Sequence, residues 1–186
     1  MDSQPANNVS MSSRRKTFKS PHNSFKSSKN KNQFCHWKFG TINVLTASDD
    51  FLLVECLRQC TRADLDICCF QEFRRLGKDT ISVPITTDNT TTTWEVFWSG
   101  YKCKRQAGVA IAMRSSKRVK IEEVGQISSR LIWVDCVVNG IKLRIISAYA
   151  PTEESSDPRK KYSHKSNKEN FYKSLRDTAW LKRSDN

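Results

Sequence analysis

No run of apolar residues in this 186-residue sequence approaches the ~18–20 needed to cross a bilayer, and the N-terminus lacks the apolar core of a secretory leader. Those absences argue against a helical membrane protein and against a secreted one. The seven cysteines form no pattern either. Their number is odd, and no spacing matches a disulfide framework or a zinc site. The expectation is reduced, mostly buried thiols in a nuclear or cytoplasmic protein. No internal repeat is visible.

What the sequence has in excess is positive charge, a formal +13, and it is unevenly placed. Residues 1–33 carry seven Lys or Arg against one acid, and residues 158–186 carry nine against three. Residues 34–157 are nearly balanced, with 16 basic and 15 acidic side chains. This divides the chain into a basic tail (1–33), a globular segment (34–157), and a basic loop with a terminal helix (158–186). The Ser, Asn and Lys of the first segment bury too little apolar surface to offset the entropy of ordering, so disorder is expected there. Basic arms read either as solvated tails or as loose contacts to a polyanion such as nucleic acid.

Within the globular segment, Phe34 to Val44 alternates apolar and polar residues like a strand. Ser48 or Asp49 can cap a helix from Asp50 to about Cys60, with an apolar stripe at Leu52, Leu53, Cys56, Leu57 and Cys60. Ile67-Cys68-Cys69-Phe70 is a short unbroken apolar run, suited to a strand buried on both faces. Strand, helix, strand in that order predicts a parallel crossover. Residues 74–93 read as a polar loop ending in threonines. Trp94–Trp98 and Ala107–Met113 read as strands, and Lys102, Lys104 and Arg105 on their connection as a solvated tip or a phosphate contact.

Asn139-Gly140 lies between two β-branched runs and predicts a tight hairpin. A two-residue turn sets Val138 opposite Ile141, Cys136 opposite Leu143, Val134 opposite Ile145, Ile132 opposite Ser147 and Arg130 opposite Tyr149, all on one face. On the other face Asp135 meets Arg144, an expected exposed ion pair of little worth. Asn167 is the expected cap of a last helix over about 168–181.

An Asn after a strand, such as Asn43, is ordinarily a turn residue, and an acid after a strand, such as Glu72, is ordinarily a solvated loop group. Both, however, follow strands predicted to be parallel neighbours, and ligand sites in open α/β sheets form at the carboxyl ends of strands. A carboxylate and an amide together there suit a hard cation and a phosphate. The phenol of Tyr149 and the guanidinium of Arg130 suit phosphate oxygens.

Phe39-Gly40-Thr41-Ile42-Asn43-Val44, then Asp64–Glu72 ending in Gln-Glu, resemble the first two motifs of the endonuclease/exonuclease/phosphatase family. Gly108–Ala112, Ser129-Arg130-Leu131-Ile132, Ser147-Ala148-Tyr149-Ala150-Pro151 and Phe171-Tyr172-x-x-Leu175 resemble later segments, in the family's order. The likeness is nearest to the apurinic-site-like endonuclease of non-long-terminal-repeat retrotransposons and to craniofacial-development-protein-2-like proteins. It implies Glu72 as a Mg²⁺ ligand, Asn43 and Tyr149 as active-site residues, and Arg130 and Ser147 on the substrate side.

Two departures qualify the resemblance. Ile42 stands where the family usually has Trp. The family's Gly-Asp-Phe-Asn and Ser-Asp-His motifs, which supply the water-activating groups, have no counterpart. The resemblance therefore implies the N-terminal half of a four-layer α/β sandwich, one mixed sheet with flanking helices. It implies a retroelement-derived, nuclease-like phosphodiesterase domain with little or no activity alone. Two alternatives stand beside it: a fragment active with a partner that supplies the missing half, and a non-catalytic nucleic-acid binder acting through its basic tails. Half a sandwich would leave Val134, Leu143 and Ile145 on an uncovered face, so self-association is expected as well.

Overall fold

The apolar run at Ile67 proves to be the hinge of the architecture. In the computed structural model, which describes residues 36–116, 118–151 and 158–180, the chain runs β1 (Phe39–Asn43), α1 (Asp50–Arg62), β2 (Ile67–Gln71), β3 (Lys78–Thr87), β4 (Thr90–Ser99), β5 (Val109–Arg114), β6 (Val119–Ser128), β7 (Leu131–Val138), β8 (Ile141–Ala148) and α2 (Pro158–Ala179). Five strands form one sheet in the order β1-β2-β5-β4-β3, and three form another in the order β6-β7-β8. The class is α/β, with two sheets rather than the single mixed sheet expected.

The β1–α1–β2 unit is the predicted parallel crossover, with Asn43 in register with Gln71. Asp49 caps α1, its Oδ1 accepting from the Leu52 amide at 2.9 Å. Strand β2 then pairs antiparallel with β5, which makes the first sheet mixed. On the outer side Cys68, Phe70, Trp94, Val96, Ala110 and Ala112 pack against Leu53, Leu57 and Cys60 of α1. On the inner side Ile67, Phe97, Val109, Ile111 and Met113 pack against Ile132, Val134, Cys136 and Val138 of the second sheet. Strands β2 and β5 thus serve two cores, as their unbroken apolar runs require.

Three sequence expectations need correction. Residues 78–93 are not a loop: they form β3 and the start of β4, a hairpin closed by Asp88-Asn89 with φ of 45° and 63°. Two left-handed residues are the geometry of the tight hairpin turn, and Asp and Asn tolerate it. Pro84 fits because β3 is an edge strand. Strand β6 was not anticipated. Its inward residues are Val119, Ile121 and then Val124, since a register shift between Ile121 and Glu123 breaks the period of two. Helix α2 begins at Pro158, so Asn167 is inside it and caps nothing. Proline is well suited to a first helical turn, where an amide donor has no partner to lose.

The Asn-Gly hairpin matches its predicted register from Val138–Ile141 to Leu131–Ala148. Its inner face is not open. Val134 is fully buried, while Leu143 and Ile145 are half-buried because β8 is an edge strand of a covered sheet. Self-association through that face loses its basis. The Asp135–Arg144 pair also differs from expectation. It is bidentate, at 2.7 and 2.6 Å, with each side chain no more than a fifth exposed. Arg144 further donates to the Thr178 carbonyl of α2 at 2.9 Å and lies 3.9 Å from the Trp133 ring centroid. The thiols are free and mostly covered as expected, except Cys103, which is exposed; Cys35 and the basic tail 1–33 lie outside the described residues. No described helix is long and apolar enough to cross a membrane.

The Trp133 ring lies across Gly125, its partner in register on β6. A Cβ on Gly125 would sit 1.9 Å from Trp133 Cε2, so the ring would have to move and take Arg144 with it. Gly125→Ala should therefore destabilise the domain by about 1–3 kcal/mol, the usual cost of overpacking. Urea unfolding checks this, and a midpoint equal to that of the parent protein would refute it.

Candidate functional site

Asn43 ends β1, Glu72 follows β2 and Tyr149 follows β8, so three strand ends deliver three side chains to one corner. Glu72 Oε1 accepts from Asn43 Nδ2 at 3.0 Å and from the Tyr149 hydroxyl at 2.9 Å. Asn43 is itself oriented, since its Oδ1 accepts from the Leu45 amide at 3.1 Å. Arg130 stacks on the Tyr149 ring at 4.9 Å, and its Nη1 donates to the carbonyls of Tyr149 and Ala150 at 3.2 and 3.1 Å. Four of the five residues singled out from the sequence therefore meet.

The fifth, Ser147, does not reach the open corner. It is buried, and its hydroxyl donates to the Phe70 carbonyl at 3.2 Å, tying the second sheet to β2. The register argument put it on the correct face, but that face at Ser147 is the seam between the sheets.

Sequence reasoning missed Arg74. Its Nη2 donates to Glu72 Oε2 at 2.6 Å, so both carboxylate oxygens are engaged. The available signal was a basic residue two positions past the carboxylate, which geometry alone could turn into a contact. Its neighbour Arg75 is structural: it donates to the Ala47 carbonyl and Asp50 and lies over Phe73 and Trp98.

The backbone here is under local constraint. Eight described non-glycine residues have positive φ. Asp64, Asp88, Asn89 and Asn139 are turn residues that tolerate it. The other four, Leu45, Glu72, Arg74 and Ala107, have φ of 57°, 52°, 57° and 49° and all lie at this corner. Such residues persist only where surrounding structure holds them, and they gather at binding and catalytic sites. Here the hold is visible: the Phe73 and Arg74 amides donate to the Gly108 and Ala107 carbonyls, and the Gly108 amide to the Ser129 carbonyl. Gly108 has no room for a side chain, because a Cβ would lie 2.7 Å from the Arg74 nitrogen.

Hydrogen bonds from Asn43, Tyr149 and Arg74 hold the Glu72 carboxyl below its ordinary range. Burial, and then the bond to Glu72, push the Tyr149 phenol up. The pair is a carboxylate stabilised as an anion and a phenol kept as a donor.

A carboxylate has about four lone-pair positions, and three are taken here, so one inner-sphere contact to a cation remains. Mg²⁺ is commonly held by one or two carboxylates, with water and phosphate oxygens completing its shell. The described residues contain no group of three His, Cys, Asp or Glu that would make a closed cage. Glu72 thus fits a single foothold for Mg²⁺, one that must share the carboxylate with Arg74.

Glu72 has a depressed folded pKa, so its contribution to stability is present above its unfolded value of about 4.3 and is lost as pH falls through the lower folded value. Glu72→Gln removes the anion and sets an amide donor against Arg74 or against Asn43 and Tyr149. The variant should be less stable than the parent at neutral pH by about 1 kcal/mol, a figure already reduced for the openness of the corner. Thermal melts at several pH values should show the gap closing in acid, and a gap independent of pH would contradict the assignment. The phenolate titration of Tyr149 should move to lower pH in the same variant.

No protein-family model and no curated protein sequence matches this chain.

Proposed function

We propose that the chain is an endonuclease/exonuclease/phosphatase-like domain of retroelement type whose described residues bind a phosphodiester at the Glu72 corner but do not cleave it unaided. The observation that carries this is the convergence of Asn43, Glu72 and Tyr149 on two hydrogen bonds from three strand ends. The same three residues stand out in the motif resemblance, which used no geometry. Further support is that α1 packs on the first sheet and α2 touches the second through Arg144 and Thr178. That arrangement is compatible with the N-terminal half of a four-layer α/β sandwich.

On this reading Arg130 and Arg74 balance the charge of a phosphate, while Asn43 and Tyr149 hold the carboxylate of Glu72 in place. Glu72 would be the one ligand to Mg²⁺ among the described residues at the corner, and the metal when bound would neutralise charge on phosphate oxygens. Among the described residues the side chains hydrogen-bonded to Glu72 are Asn43, Tyr149 and Arg74, and no cluster of three His, Cys, Asp or Glu stands there. General-base catalysis is worth typically ~10²–10⁴-fold, and nothing described here is placed to provide it.

With Mg²⁺, the purified chain should leave both supercoiled plasmid and abasic-site duplex intact. Nicking that disappears in Glu72→Ala would overturn the claim that cleavage needs more than these residues. Arg130→Ala should weaken binding to duplex DNA by about fivefold or more, in keeping with one lost charged contact. A specific observation favours a second reading: the basic excess of residues 1–33, seven Lys or Arg against one acid. If removing residues 1–33 abolishes DNA binding while Arg130→Ala leaves it unchanged, the tail and not the corner is the nucleic-acid contact.

A further inference from the structure

Arg130 also lines a groove of about 600 Å³ between the start of β3, the β4–β5 connection, the β6–β7 turn and α2, and Glu72 is not among its lining residues. Lys78, Lys102 and Arg130 line it, together with Tyr101, Asn167 and Asn170, and among the described residues no carboxylate does. Three cations with no counter-charge among the described lining residues favour an anionic occupant. The volume is that of a small-molecule site, within the roughly 300–1,000 Å³ range of ligand pockets.

The donors are available and the walls are fixed. Lys78 gives one N–H to the Gln126 carbonyl, which leaves two of the three donors of an ammonium. Arg130 spends Nη1 on the carbonyls of Tyr149 and Ala150, which leaves Nε and Nη2 without a partner among the described residues. The Gly77 amide donates to the Tyr101 carbonyl at 2.8 Å, and the Gly100 amide to the Gly77 carbonyl at 2.7 Å. These bonds clamp the Tyr101-Lys102 segment to the start of β3. The clamp is tight enough to require glycine, since a Cβ on Gly100 would lie 1.9 Å from the Arg75 carbonyl oxygen. Tyr101 remains 40% exposed on this rigid base, a phenol ring presented to solvent beside three cations.

A bare phosphate would use the cations and leave the ring and the two asparagines idle. A ligand carrying both a phosphate and an aromatic base uses all of them, by stacking on Tyr101 and by hydrogen bonds to the Asn167 and Asn170 amides. We propose that this groove is a nucleotide subsite, taking the phosphate on Lys78, Lys102 and Arg130 and the base on Tyr101. It is reached from the Glu72 corner across Arg130 but owes nothing to the Glu72 carboxylate or to a metal. The same chemistry is offered by a free nucleotide and by one unit of a single-stranded nucleic acid.

Calorimetric titration of the full chain with adenosine monophosphate, adenosine, inorganic phosphate and a short oligodeoxyadenylate tests this. Adenosine monophosphate should bind measurably more tightly than either of its halves. Tyr101→Ala should weaken it by about tenfold, the scale of one lost base–aromatic stack. Lys102→Glu should weaken the oligonucleotide and lower the slope of log affinity against log salt by about 0.7, one phosphate contact on a single strand. Both residues are exposed on a surface connection, so unchanged thermal melts of the variants show that folding is not the cause. An oligonucleotide that binds far more tightly than the mononucleotide, with the same dependence on Tyr101, identifies a strand as the natural occupant; near-equal affinities identify a free nucleotide. Phosphate binding as tight as adenosine monophosphate, or insensitivity to both substitutions, overturns the subsite. The losses caused by Tyr101→Ala and Lys102→Glu should be the same size in a Glu72→Gln background, so failure of the subsite and failure of the Glu72 reading are separately visible.

Discussion

Burial of β2 and β5 on both faces is the constraint on which the rest of the molecule depends. A strand that serves two cores cannot shift by one residue without carrying apolar side chains from one core into the other. Cys68 and Phe70 belong to the α1 core, whereas Ile67 and Cys69 belong to the seam between sheets. With β2 fixed in this way, the residues that follow it are fixed too, and Glu72 is the first of them to leave the strand. The precision of the corner is thus inherited from packing several residues away.

The second sheet must be aligned with the first for Tyr149 to meet Glu72. Burial alone gives alignment only loosely, because apolar packing is not directional. The polar bonds across the seam supply direction: Ser147 to the Phe70 carbonyl, the Gly108 amide to the Ser129 carbonyl, and Tyr149 to Glu72. All three lie at the same end of the sandwich. This gives Ser147 a positioning task rather than a binding one. It also explains why left-handed Leu, Glu, Arg and Ala are tolerated there, since the chain turns are pinned from both sheets.

Much of this was legible in the sequence, and the failures have physical causes. The α1 cap, the parallel crossover and every pair of the Asn-Gly hairpin followed from short-range rules, because each depends on residues within one turn or one hairpin. Strand β3 was missed because Thr-rich strands look polar, although Ile81, Val83 and Ile85 keep the alternation and Asp88-Asn89 marks the turn. Strand β6 was hidden by its bulge, which moves the inward positions from Val119 and Ile121 to Val124. The expectation of an uncovered face came instead from placing all the strands in one sheet, whereas β2, β4 and β5 cover the inner face of β7 and β8. At the corner, Asn43, Glu72, Tyr149 and Arg130 were found from strand ends and motif likeness. Arg74 was not, because its contact depends on two left-handed residues that no local pattern announces.

Arg74 also decides what the corner attracts. Glu72 is one negative charge, with one guanidinium in contact and another, Arg130, behind the Tyr149 ring. Among the described residues the local balance is positive before any ligand arrives, and the neighbouring groove adds Lys78 and Lys102 with no described acid. An anion approaching Arg130 and Arg74 therefore meets favourable charge from the described side chains. A divalent cation meets two guanidiniums and a carboxylate already hydrogen-bonded at both oxygens. An anion drawn to Arg130 and Arg74 would compete with the Glu72 carboxylate for the Arg74 guanidinium, because Arg74 already donates to Glu72 Oε2. Arg74 is thus the side chain whose partner an incoming anion changes, and the left-handed backbone at Glu72 and Arg74 is what places it to do so.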